Sequence, residues 1–152
     1  MKMKNILFIC IILILNGCGY TSLYKENINE NVKIKIVEIK GDTNINNLIK
    51  SHFKNYLNKD ASNVYNLIIN TKYNKKINTK DTTGKAVDFQ LSLETDVNIS
   101  HNGKNKTTTL LETFKIKNSS DTFALNEYEN IVKENFAQST KQKIILEIIS
   151  FE

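Results

Sequence analysis

Side chains able to do covalent or metal chemistry are few in this chain: two cysteines and two histidines among 152 residues. Cys10 lies within the apolar run Ile6 to Leu15, where a thiol is only a small hydrophobe. Cys18 comes directly after Leu15-Asn16-Gly17, at the end of that run, where a thiol can be alkylated to a thioether. His52 falls in an apolar stripe at helical spacing and reads as packing or half-exposed. His101 opens a His-Asn-Gly-Lys turn and reads as solvent-facing. A zinc site would need carboxylates that the sequence does not gather around these residues. Gly84-Lys85-Ala86 lacks both the upstream glycine and the Ser/Thr of a phosphate-binding loop, and no Gly-x-Ser-x-Gly elbow occurs. The acidic residues are spread singly, which gives paired-carboxylate hydrolysis no support. Tyr65, Tyr73, Phe89 and Phe114 alternate along strand-like segments and read as core. The expectation is a chain with no catalytic residues, no metal and no cofactor.

The amino terminus explains why a thiol stands at position 18. Lys2 and Lys4 form a short positive region, and Ile6 to Leu15 follows as an apolar stretch. Ten helical residues rise about 15 Å, half of the roughly 30 Å hydrocarbon core, so this is a signal segment rather than a membrane span. Leu15-Asn16-Gly17-Cys18 resembles the lipobox of bacterial lipoproteins, with Asn16 at a position where Ala or Ser is commoner. Residues 1–17 are therefore expected to be an export signal and Cys18 the lipid-bearing first residue of the mature protein. Each buried CH₂ contributes about 0.8 kcal/mol, and two or more acyl chains suffice for stable anchoring. Gly19 rather than Asp after the cysteine is compatible with passage to the outer membrane. With Cys10 removed and Cys18 acylated, no thiol pair is left for a disulfide. Removing Lys2 and Lys4 lowers the formal charge from +5 to +3, too weak and scattered for nucleic acid.

Beyond a polar tether over 18–31, the pattern describes one domain over 32–152. Val32 to Ile39 alternates apolar and charged residues as a strand does. After the Gly41-Asp42-Thr43-Asn44 turn, Ile45, Leu48, Ile49, His52, Phe53, Tyr56 and Leu57 recur at helical spacing, predicting a helix over about 44–58. A second strand spans Val64 to Tyr73, followed by a polar connection from Asn74 to Gly84. Val87 to Ile99 has the clearest period of two in the chain, with Val87, Phe89, Leu91, Leu93, Val97 and Ile99 opposite Asp88, Gln90, Ser92, Glu94, Asp96 and Asn98. One buried and one wet face is the mark of an antiparallel sheet covered on a single side. Asn102-Gly103 suits a hairpin turn, and the return strand, about Thr107 to Lys117, puts Leu110, Phe114 and Ile116 together. From Asn126, with Glu129 completing a capping box, a helix runs to about Ile149. Its predicted stripe is Tyr128, Ile131, Val132, Asn135, Ser139, Gln142, Leu146 and Ile149, with Ile145 and Ile148 close by. The expected fold is α+β, order β-α-β-β-β-α: a two-layer sandwich with two helices on one face of a four-stranded, mainly antiparallel sheet.

Cys18-Gly19-Tyr20-Thr21-Ser22-Leu23-Tyr24, with this order of elements, resembles the LPS-assembly lipoprotein LptE family. Alphaproteobacterial members often begin Cys-Gly-aromatic-x-Pro-Leu-Tyr, and Ser22 stands here where Pro is usual. The polar segment around Thr82-Thr83-Gly84-Lys85 and the closing helix with a Tyr near its start fit the same family. The resemblance implies an outer-membrane, lipid-anchored, non-catalytic protein that plugs the LptD β-barrel, helps it assemble and helps lipopolysaccharide reach the surface. It also implies basic residues contacting lipid A phosphates, for which Lys85, Lys104 and Lys106, at the ends of the long hairpin, are the candidates. From the residues alone two other readings stay open. One is an auxiliary lipoprotein of an ABC-type lipid transporter in the periplasm. The other is a lipoprotein enzyme or inhibitor acting on the cell wall through a carboxylate such as Glu94 or Glu112.

Overall fold

The computed structural model describes residues 31–151; the signal segment, Cys18 and the tether up to residue 30 lie outside the described residues. Seven elements follow in order: β1 (Val32–Gly41), α1 (Thr43–His52), α2 (Lys54–Leu57), β2 (Asn63–Lys80), β3 (Ala86–His101), β4 (Lys104–Lys117) and α3 (Thr122–Ile149). The four strands form one sheet in the order β1-β2-β3-β4. β1 and β2 are parallel, with α1 and α2 in the crossover, and the other two pairings are antiparallel hairpins. The expected two-layer α+β fold is the observed one.

Alternation on the strands builds the core. Val32 and Ile34 of β1, Tyr65, Leu67 and Ile69 of β2, Leu91, Leu93, Val97 and Ile99 of β3, and Leu110 and Ile116 of β4 are all buried on one face. Ile45, Ile49 and Phe53 close that face from α1, and Val132, Phe136, Ile144 and Ile148 close it from α3. The opposite face is open and mostly polar. Its cross-strand rows run Ile68–Asn98–Thr107, Asn70–Asp96–Thr109 and Lys72–Glu94–Leu111. The Thr109 hydroxyl donates to Asp96 Oδ1 at 2.7 Å across one such row.

Three boundaries and one helix face differ from the sequence pattern. β2 does not end at Tyr73 but continues through Asn74 to Lys80, paired with β3 as far as Ala86. Apart from Ile77 these residues are polar on both sides and show no period of two, yet the ladder needs only their backbone groups. β1 stops opposite Thr71, so beyond it the sheet narrows to β2, β3 and β4, and this outer part projects as an arm. α1 is interrupted at Phe53, whose backbone caps one helix and starts the next. α3 begins four residues before Asn126: its N-cap is Asp121, whose carboxylate accepts from the Ala124 N–H. Asn126 thus lies inside the helix, and Glu129 is no capping residue. Finally, Tyr128, Ile131, Leu146 and Ile149 of the expected stripe are exposed; the buried side is rotated to Glu129, Val132, Phe136, Thr140, Ile144 and Ile148.

Two turns require glycine. Asn102 and Gly103 both have positive φ, 47° and 77°, as a two-residue hairpin turn of type I′ demands. Gly41, at φ 101°, sits so near β2 that a Cβ would lie 1.8 Å from the Thr71 carbonyl oxygen. This close approach brings Asp42 N within 3.0 Å of Thr71 Oγ1, and that hydroxyl donates to Asn46 Oδ1 at 2.7 Å, tying α1 to β2.

Candidate functional site

Strand direction sorts the candidate residues between two ends of the molecule. At one end, Asn31 is held by Ser62 and Asn63: its side chain donates to Ser62 Oγ at 2.7 Å and accepts from Ser62 N, while its carbonyl accepts from Asn63 N. The chain therefore enters the domain beside the β3–β4 turn. His101 is not solvent-facing as expected. Its ring stacks on Tyr65 with centroids 4.1 Å apart, and its Nδ1–H donates to the Val64 carbonyl at 2.9 Å. Nε2 is then left to accept from the Asn102 amide at 3.0 Å. Phe151 stands edge-on to both rings. Asn63, Tyr65, His101, Asn102, Lys104 and Phe151 line a shallow cavity of about 220 Å³ at this end.

The three lysines do not converge. Lys104 borders that cavity. Lys106, two residues along β4, is engaged with α3 through Glu147 at 2.8 Å and Ser150 Oγ at 3.0 Å. Lys85 lies in the β2–β3 turn, where Asp81 Oδ1 accepts from the Lys85 and Thr83 N–H groups. Those donors, the Thr83 hydroxyl first among them, hold the exposed Asp81 carboxyl below its ordinary range. The 16 residues of β3 separate the two turns, about 50 Å at the usual strand rise. One phosphate group cannot touch both ends.

Sequence reasoning missed the polar cluster over the arm. Glu129 of α3, only 9% exposed, accepts from Tyr73 OH at 2.8 Å, Lys75 Nζ at 2.6 Å and Lys133 Nζ at 2.9 Å. Lys75 also lies over the Phe89 ring and Lys133 over the Tyr73 ring. Burial by itself would raise the Glu129 pKa, but the two ammonium groups and the phenol outweigh it and hold the carboxyl at about 2. Burial, then the Glu129 carboxylate, pushes the Tyr73 phenol far above its ordinary range. Two cations against one anion leave a surplus positive charge here. The arrangement fastens the first half of α3 to the arm and holds no poised acid, base or nucleophile. Only the Glu129–Lys133 spacing on one helix face was visible beforehand; its β2 partners lie more than fifty positions away.

Of the remaining candidates, Glu112 is bonded by Ser139 and Lys143 and so serves as a link between β4 and α3. Glu94 lies on the open face. His52 Nε2 sits 3.0 Å from Glu134 Oε1, with an angle too poor for a hydrogen bond, between α1 and α3. Among the described residues no three His, Cys, Asp or Glu side chains gather as a metal site would require. Among them, too, no helix is long and apolar enough to cross a membrane.

No protein-family model matches the sequence, and no curated protein matches it either. Solved structures do share the fold. A rare lipoprotein B from Shewanella oneidensis superposes with a TM-score of 0.59 at 12% identity, over 78% of this chain and 95% of that one. A protein assigned as a lipoprotein from Caulobacter crescentus gives 0.53 at 15% identity, over 78% of this chain and 88% of its own.

Proposed function

We propose that this chain is an outer-membrane lipoprotein, anchored through Cys18 and facing the periplasm, that assists lipopolysaccharide assembly as plug and assembly partner of an LptD-like β-barrel. The observation that carries this reading is the pairing of two independent features. The Cys18-Gly19-Tyr20 start resembles LptE, and the domain that follows has the fold of proteins described as lipoproteins, one of them a rare lipoprotein B. Neither feature depends on the other, since the superposed domain lies beyond the signal.

The physical form supports the same role. Large barrels leave an open, polar lumen unless something fills it. A compact domain with one covered and one polar, hydrogen-bonded sheet face can stand against such a wall without burying unpaired groups. The described chain enters at the end that carries Lys104 and the aromatic cavity. Of the three candidate lysines, Lys104 and Lys106 lie at that end, Lys106 in an ion pair with Glu147, and Lys85 sits at the other.

Affinity purification of the full-length protein from native envelopes tests the reading. Recovery of a large β-barrel protein with the outer membrane is the expected result. Enrichment in the inner membrane with transporter subunits, or capture of soluble periplasmic partners alone, would refute it.

A further inference from the structure

The outer side of α3 carries a pattern that the reading above does not use. Tyr128, Ile131, Asn135, Gln142, Leu146 and Ile149 are all exposed, the four apolar ones by 46 to 55%. They line the side of the helix turned away from Thr140 and Ile144, which face the core, with Val132 and Phe136 between the two sides. None of the six is charged, in a chain where 24% of residues are. Their successive spacings are 3, 4, 7, 4 and 3 residues, the same from either end.

We propose that this stripe pairs with the same stripe of a second copy, the two α3 helices running antiparallel about a two-fold axis between Gln138 and Ser139. In that register Tyr128 meets Ile149, Ile131 meets Leu146 and Asn135 meets Gln142. Apolar groups face apolar groups and amides face amides at every level, the self-complementarity that an isologous contact requires. Spacings of three and four residues suit low-angle helix packing, and facing amides in a helix seam fix its register. Charge selects the antiparallel sense. Glu134, 48% exposed beside His52, and Lys141, over the Tyr56 ring, share one flank of the stripe, and reversing the second helix brings Glu134 of each copy to the level of Lys141 of the other, where the two charges add to those contacts. A parallel pair brings no opposite charges together along either flank, and it also aligns the helix dipoles unfavourably. The contact is small, on the order of 1,000 Å² in total, the lower edge of specific interfaces. Pairing is therefore weak in free solution and strengthened where both copies are confined to one surface. The pairing concerns copies not seated in a barrel, since a lumen that holds one domain leaves no room for a second α3; the inference stands on α3 alone.

Disulfide trapping in the full-length lipidated chain, in native membranes and with Cys10→Ser as background, tests it. In the proposed register residue 131 faces 146, whereas the two copies of 131 stand about 22 Å apart along the axis, beyond the reach of a disulfide. Ile131→Cys mixed with Leu146→Cys should cross-link at least about tenfold faster than either alone, the gain of a held encounter over random collision. Gln138→Cys, next to the axis, should cross-link by itself. All three positions are exposed, and circular dichroism checks that each chain is folded. Equal rates in every combination, no cross-link in the mixture, or rapid trapping of Ile131→Cys alone would each overturn the proposal.

Discussion

Glu129→Gln probes how α3 is fastened to the projecting arm, and its effect follows from one carboxyl. In the fold that carboxyl titrates at about 2, against 4.5 for an unperturbed glutamate. A difference of this size corresponds to about 3 kcal/mol of stability from ionisation. Because the folded value is the lower one, the contribution is complete above pH 4.5 and disappears as the pH falls toward 2. Glutamine keeps an acceptor for Tyr73 but leaves Lys75 and Lys133 without their counter-charge. The Lys75 side chain is 28% exposed, so water offsets part of that loss; a cost of about 2 kcal/mol at pH 7 is expected, below the range for a fully buried pair. Urea unfolding followed by far-UV circular dichroism, from pH 7 to pH 2.5, measures it. The parent chain should outlast the variant at pH 7, and the gap should close to a fraction of that at the acid end. Asp81 and Asp88, whose carboxyls are also lowered, are present in both chains and cancel in the difference. A gap of constant size from pH 7 to pH 2.5 would show that Glu129 acts through shape rather than charge.

Other substitutions test particular joints. Asp121→Ala should cost about 1 kcal/mol through loss of the α3 cap, whereas Asn126→Ala should change stability little; thermal melts that reversed this order would return the helix start to position 126. Gly41→Ala, driven into the Thr71 carbonyl at positive φ, should cost about 3 kcal/mol or more. Gly84→Ala, also at positive φ but with open space around it, should cost about 1 kcal/mol in the same denaturant titration. Cys18→Ser should abolish incorporation of labelled palmitate and release the chain from the membrane fraction, and persistent labelling would reassign the anchor. Reversing Lys104 and Lys106 together should weaken recovery in a lipopolysaccharide pull-down, while reversing Lys85 leaves it unchanged; the opposite ranking would place the lipid-facing end at the β2–β3 turn.

Sequence patterns were informative where a residue's environment is set by its neighbours along the chain. The period of two in β3 located its buried face because strand geometry alternates side chains whatever the partners. The Asn-Gly turn was visible for a similar local reason: two successive positive φ values select that dipeptide. The arm was hidden because Asn74 to Lys80 are polar on both sides except for Ile77, and the backbone ladder that orders them leaves no trace in side-chain type. The Glu129 cluster was hidden because its partners come from a strand far away in sequence. His101 looked like a turn residue and is one, but its stacking on Tyr65 depends on β2 and β3 lying side by side.

The long helix shows the limit of periodicity most clearly. α3 has two stripes: Tyr128, Ile131, Leu146 and Ile149 of the expected one face out, whereas Val132, Ile145 and Ile148 are buried. The inner face holds Val132, Phe136, Ala137, Ile144, Ile145 and Ile148, with Glu129 and Thr140 set among them and breaking its period. It is buried all the same, because Lys75 and Tyr73 of the arm satisfy Glu129. A hydrophobic period identifies a face that gains from leaving water, without saying which surface covers it. In α3 the fold covers the face that carries Glu129 and Thr140 and leaves a second, apolar-ended face in solvent, with its amides centred between Tyr128–Ile131 and Leu146–Ile149. That second face gains from leaving water, which makes it a place for another surface to bind.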